Sequence, residues 1–415
     1  MNRFLQSLFI VISGEAIFML PFLIPRLYRP LILDAWSLTN TDIGVGFAAY
    51  GVTSTLSYLV GGSFADNYNP KILISSSLGA TALAVVYLVL YPSPTSFVAT
   101  YAFFGMSTVL LMWGALIKTT HVIGGEANRS AALGILDSGR GLVAAIASSG
   151  LLILVSLNFP ELASRDDQLA ALRWIYFSVA GFVLLLAVAT WVSLSNLNML
   201  QKNERTWSFK NALESIKDSR VWLLSVVILS SYCGYKGIDN YSIYLTNVHK
   251  ISVERTSQLM SILLWLRPFS VLGIGFLSDV FYRRTRPGRF HMLTLLLLAA
   301  GVSQTLLAFF GFLDFILAFS VMATSVCFVY GLRAVYFSVF GDLKIQNYLI
   351  GTTVGIVSFV GFLPDIFLGY VSGRLVDTFP GELGFRYTFL FTAACLFAGS
   401  VASVCLAFKT EKSSE

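Results

Sequence analysis

An all-helical, polytopic membrane protein is the fold class this chain predicts, and three observations predict it. Of its 415 residues, 56% are hydrophobic and only 12% are charged, about half the charged share of an ordinary soluble domain. Apolar stretches of about 20 residues, the length that crosses a bilayer as a helix, recur from one end of the chain to the other. Inside them stand five cations, Lys118, Arg140, Lys236, Arg267 and Arg333. Each costs roughly 2.5–3.5 kcal/mol at the bilayer centre on insertion scales, an expense that packing alone does not require.

Twelve spans are expected, at 5–25, 41–62, 72–91, 96–118, 131–156, 173–194, 222–246, 256–278, 291–312, 315–338, 350–374 and 387–408. Turn-forming runs such as Tyr91-Pro92-Ser93-Pro94 and Phe379-Pro380-Gly381 separate them. The first span starts almost at Met1 and has no small-residue cleavage site after it, so it reads as a retained helix. An even number of spans puts both termini on one side. With the termini cytoplasmic, fifteen Lys and Arg fall inside, against Arg26, Arg29, Arg165, Arg173, Lys250, Arg255 and Arg386 outside. That asymmetry satisfies the positive-inside rule. The net charge of +6 is therefore a topology signal and gives no reason to expect a nucleic-acid partner. The hydrophilic stretch 195–221 is expected to link two six-helix bundles, 1–194 and 222–415.

In chain order, the chemistry begins with Glu15, midway along span 1 and with no base near it in sequence. After span 2 comes Gly62-Ser63-Phe64-Ala65-Asp66, and after span 8 comes Gly275-Phe276-Leu277-Ser278-Asp279. Both read G-x-x-x-D at the cytoplasmic end of the second span of a half. Repetition at about half the chain length is an architectural statement. Glycines there suit close helix approach, and the aspartates suit capping or ion-pair latches.

On this paired turn, the span count and the two-half arrangement, the chain resembles the major facilitator superfamily. The resemblance covers essentially the full length, although Asn67, Asn69 and Pro70 stand where the family turn has a base, a glycine and a base. It implies two pseudo-symmetric bundles with a substrate site near the midplane, and secondary active transport by alternating access. It also implies a gating role for Gly62, Asp66, Gly275 and Asp279.

Lys118 follows Asp66 by 52 residues and Arg333 follows Asp279 by 54. They are expected as symmetry mates that clamp an anion. Arg267, beside Pro268 in the middle of span 8, is too deep to reach the surface easily. Asp137 and Arg140 share a face of span 5, and Lys236 and Asp239 a face of span 7, at i, i+3 spacing. Tyr235 and Tyr330 offer rings with hydrogen-bonding tips beside these bases. Asp365 reads as a cap on a proline-broken helix.

The expected substrate site is thus Arg267, Lys118, Arg333, Arg140, Lys236, Tyr235 and Tyr330. The expected proton carriers are Glu15, Asp137 and Asp239, with Glu15 first. The bases outnumber the acids, which points to a small organic anion, with protons as the coupling ion. Within the family this resembles organic-anion and organophosphate carriers more than drug exporters, whose Gly-Pro signature is replaced by Gly139-Arg140-Gly141. A zwitterion such as an amino acid, dipeptide or siderophore is the alternative substrate, and a membrane sensor that kept the fold is the alternative function. Four dispersed cysteines and three histidines supply no metal or disulfide pattern, and no catalytic triad or phosphate loop appears. No cofactor and no enzymatic activity are expected. The protein is expected to be a monomer in a bacterial inner membrane.

Overall fold

The computed structural model describes residues 3–124, 129–159, 164–194, 215–284, 288–336, 339, 343 and 350–412. Every regular element among the described residues is helical. The order is α1 (Arg3–Ala16), a wide π-helical turn (Met19–Leu23), α2 (Ile24–Trp36), α3 (Asn40–Asn67), α4 (Pro70–Leu90) and α5 (Pro94–Gly105). A second π-helical stretch (Met106–Trp113) leads into α6 (Gly114–Gly124), followed by α7 (Arg129–Asn158) and α8 (Arg165–Ser193). The later part holds α9 (Ser219–Gly237), a 3₁₀ turn (Ile238–Asn240), α10 (Tyr241–Asn247) and α11 (Val253–Arg284). It ends with α12 (Gly288–Phe310), α13 (Phe315–Val335), α14 (Ile350–Gly361), α15 (Pro364–Thr378) and α16 (Glu382–Lys412).

Local sequence explains where these helices start. Thr39 with Asp42, Ser93 with Ser96, and Ser164 with Asp167 form reciprocal capping boxes, which satisfy the first free N–H groups of α3, α5 and α8. Asn69 caps α4 by accepting from the Lys71 N–H, and Pro70 occupies the first helical position. The departure from the family turn at 67–70 is therefore a helix start. Asp218 caps α9 and also binds the Arg220 side chain, at 2.8 Å from Nη2. Although burial pushes the Asp218 carboxyl up, these Arg220 contacts outweigh it and hold the group below its ordinary value.

Eleven helices among the described residues are long and apolar enough to cross a membrane. The expected second span, 41–62, falls within the 28-residue α3, which is about 42 Å long at 1.5 Å per residue. Span 1 differs from expectation. It continues through the π turn to Trp36, a stretch of 32 residues. Arg26 and Arg29, expected at the outer surface, are instead buried, Arg29 to 2% exposure. The wide turn at Met19–Leu23 lets the helix pass Pro21 without ending, and the Tyr101 hydroxyl donates to the Pro21 carbonyl at 2.9 Å.

The chain divides into two compact units, residues 1–204 with 245–265, and residues 205–244 with 266–415. In the first, Ser13 on α1 meets Thr190 on α8 at 2.9 Å. Tyr50 meets Thr108 at 3.0 Å, Ser77 donates to the Ser107 carbonyl, and Thr81 meets the Ser107 hydroxyl. Ser77 thereby satisfies a carbonyl of the second π stretch, and Tyr50 and Thr81 pair with its side-chain hydroxyls. Ser257 donates to the Leu27 carbonyl, and Ser148 meets Ser261 at 2.8 Å. In the second unit, Tyr241 receives from Gln304, and Tyr244 donates to the Gly311 carbonyl. Both tyrosines are fully buried structural groups.

Gly105 sits where α5 crosses α3. A Cβ there would overlap the Tyr50 carbonyl and lie 2.8 Å from the Ser54 nitrogen. In an open helix, Gly105→Ala gains about 1 kcal/mol from propensity. Here it is expected to lower the melting temperature in detergent, because overpacking costs roughly 1–3 kcal/mol.

Candidate functional site

Each unit carries its own charged set, and each set stands where helices lose their regular winding. In the first unit, Glu15 lies one residue before the end of α1. Its Oε2 is 3.2 Å from Arg140 Nε on α7. Asp137 reaches Arg140 Nη1 only at 3.8 Å and keeps 38% of its side chain exposed. The i, i+3 pair read from the sequence therefore exists, but the closer partner of Arg140 is Glu15. The guanidinium also lies over the rings of Phe18 and Trp113, 5.3 and 5.5 Å from their centroids. Phe18 precedes the first π turn and Trp113 ends the second. The broken helices thus bring aromatic faces to the base.

Lys118 occupies a different position. Its ammonium donates to the Ala65 carbonyl at 2.8 Å, which ties α6 to the end of α3. The side chain of Asp66, and any contact of Gly62, lie outside the described residues.

In the second unit, Lys236 lies one residue before the end of α9, and Asp239 lies inside the 3₁₀ turn that follows. The ammonium is 3.3 Å from Asp239 Oδ2 and 3.3 Å from Asp365 Oδ1. Asp365 also receives a 3.0 Å hydrogen bond from Tyr232. Asp365 stands in the first turn of α15, directly after Pro364. Its side chain does not cap α15 as expected, because it points instead to helix α9. All three charged side chains are nearly dry, at 3%, 8% and 9% exposure.

Aromatic rings connect this triad to the remaining bases of the unit. Tyr232 and Tyr235 lie 5.5 Å apart, and Tyr235 and Tyr330 lie 6.3 Å apart. Arg333 sits over the Tyr235 ring at 4.4 Å and Arg267 over the Tyr330 ring at 6.0 Å. Arg267 is buried, and Arg333 and Tyr235 are partly exposed. Arg267, Arg333, Lys236, Tyr235 and Tyr330 thus come together, as a set of bases interleaved with rings.

The second G-x-x-x-D turn is described in full. Asp279 pairs with Arg289 at the start of α12, at 3.2 Å. A Cβ on Gly275 would meet only Ala334, at an ordinary 3.9 Å, so this glycine does not serve close helix approach. Arg26 and Arg29 are the buried bases that sequence reasoning missed. The expected span ended at residue 25, and the continued apolar run to Trp36 was the signal that could have found them. A separate recess of about 400 Å³, lined by Leu83, Tyr87, Thr100 and Phe103 among others, is apolar and holds none of these charges.

Comparison with known proteins agrees with this architecture. The family model of the Major Facilitator Superfamily matches residues 7–364. Inner membrane protein YqcE of Escherichia coli (strain K12) is 24% identical over 95% of this chain and 92% of its own length. Inner membrane protein YihN of the same organism is 24% identical over 96% and 93%. A hexuronate transporter of Bacillus subtilis (strain 168) is 23% identical over 90% and 86%. Among solved structures, an inward-facing, unoccupied bacterial homologue of the human lysosomal transporter Spinster superposes with a TM-score of 0.75 at 15% identity, covering 99% of this chain and 98% of its own. The nucleoside transporter NupG, as a D323A mutant, gives 0.72 at 15% identity, covering 99% of each chain.

The Glu15–Arg140 contact has a measurable signature. Removing one partner of a buried ion pair typically costs about 3–5 kcal/mol. Glu15→Gln and Arg140→Gln are each expected to lower thermal stability strongly, and the double variant to lose less than the sum. Additive losses in a double-mutant cycle would show that the two side chains act independently.

Proposed function

We propose that this chain, which belongs to the Major Facilitator Superfamily, moves a small organic anion through a bacterial inner membrane by alternating access, with protons as the coupling ion. As a member it is a multi-pass membrane transporter and not an enzyme. The single observation that carries the anion reading is the second unit's set of three bases among tyrosine rings, Arg267 over Tyr330, Arg333 over Tyr235, and Lys236 one residue beyond Tyr235. Fixed guanidinium groups in a low-dielectric span attract a guest of opposite sign far more strongly than they do in water. Their fork of donors suits a carboxylate or phosphate. Ring faces beside them suit the apolar face of a sugar-like ring. A sugar acid combines both features, and the hexuronate carrier among the relatives supports that substrate class.

The test is counterflow in proteoliposomes with glucuronate, gluconate, a sugar phosphate, a neutral sugar and a dipeptide. Exchange of the acids but not of the neutral sugar is expected. Exchange of the dipeptide alone would replace the anion reading with the zwitterion one. Binding without any flux would favour a sensor.

Arg267→Ala is expected to weaken binding of the exchanged anion by roughly tenfold to a hundredfold, the loss of one charge-assisted contact worth about 1.5–3 kcal/mol. Arg267→Lys keeps the charge but loses the planar fork, and is expected to recover only part of the affinity. Thermal stabilisation by the anion reads both variants.

A further inference from the structure

Helix pairs that are equivalent in the two halves each carry one base and two acids, with the base on opposite members of the pair. In the first unit a base on span 5, Arg140, meets a carboxylate on span 1, Glu15, and one on its own helix, Asp137. In the second, a base on span 7, Lys236, meets a carboxylate on span 11, Asp365, and one on its own span, Asp239. Both sets place two acids on one base, but they differ in water. Asp137 in the first set is more than one-third exposed, so its charge is solvated. In the second set both carboxylates are at least nine-tenths buried. Two desolvated carboxylates that converge on one ammonium repel each other, and a shared proton relieves that repulsion.

We propose that Asp365 is the group that takes up the coupling proton, in a site it forms with Lys236, Asp239 and Tyr232. The proposal rests on the transport reading above but moves proton coupling away from Glu15. The geometry assigns the atoms. Tyr232 donates to Oδ2 of Asp365 and the Lys236 ammonium faces Oδ1; a proton on Oδ1 takes the place of the ammonium's charge there. Carboxylate and proton become a carboxylic acid, and no other bond changes. Lys236 then keeps Asp239 as its carboxylate and has positive charge to spare for an incoming anion. Proton and anion therefore favour each other's binding, which is the thermodynamic condition for symport.

The site also has a place to deliver that energy. Lys236 and Asp239 flank the start of the 3₁₀ turn in span 7, and Asp365 follows the break between α14 and α15 in span 11. One protonation thus changes the force between two helix breaks. The other groups that face this region are consistent with a proton site. Helix α13 brings Tyr330 and Arg333, the latter over Tyr235. Helix α16 brings Thr392 beside Gly237 and Cys395 beside Cys233. Helix α12 brings Gln304 to Tyr241, and α14 has no ionisable side chain in its sequence.

Infrared difference spectroscopy of the full-length protein in lipid, titrated with acid and needing no substrate, tests this directly. A carboxylic-acid C=O stretching band that grows as pH falls is expected in the wild type. It should vanish in Asp365→Asn and move in frequency, without vanishing, in Asp365→Glu. The Glu variant decides the matter even where the Asn variant does not insert. A band unchanged in frequency in Asp365→Glu would overturn the assignment, as would a band that responds to sodium at fixed pH. In proteoliposomes, glucuronate accumulation driven by a pH gradient is expected to fall about tenfold in Asp365→Asn, within the usual range of coupling free energies. Wild-type accumulation in that variant would also overturn it. Should no anion exchange in the wild type while the band still follows Asp365, the transport reading falls and the proton site stands.

Discussion

Every feature of this protein's chemistry follows from the cost of holding charge where water is scarce. A base inside an apolar span is tolerated when a carboxylate, an aromatic face or a backbone carbonyl meets it. The structure uses all three. Arg140 and Lys236 each receive two acids, Arg267 and Arg333 lie over tyrosine rings, and Lys118 takes a carbonyl. These are different degrees of neutralisation. A carboxylate offsets the charge of a base fully, whereas a ring face or a carbonyl offsets it in part.

Helix breaks make these meetings possible. A regular helix keeps its backbone groups to itself and directs side chains along fixed rows. The π stretches beside Phe18 and Trp113, the 3₁₀ turn at Ile238–Asn240 and the restart at Pro364 re-aim side chains towards neighbouring spans. Hydroxyls from Tyr101 and Ser77 supply hydrogen bonds to the irregular backbone of the first unit. In a lipid environment such breaks persist only where protein groups satisfy them. The breaks and the charges therefore depend on each other.

The relatives place these features in context. At 23–24% sequence identity over most of the chain, the shared property is the architecture, and the solved neighbours at 15% identity extend that to fold alone. Specificity lies in the residues grafted onto the frame. In this chain the frame carries the triad of Lys236, Asp239 and Asp365 and the two arginines over tyrosine rings.

Much was legible without coordinates. Apolar length and turn-forming runs marked the spans, because both signals are local. The i, i+3 pairs on spans 5 and 7 were local too, and both exist in the fold. What the chain's linear order did not contain was partnership between distant helices. Glu15 had no visible base and proved to face Arg140, and Asp365 looked like a cap but answers Lys236. Arg26 and Arg29 read as outside charges because the first span was ended at residue 25, yet a wide turn carries the helix onward and both are buried. Composition and pattern alone determined a bundle of membrane helices with charge inside it. Tertiary structure decided which charges meet, since that depends on how helices far apart in the chain are wound and aimed where they touch.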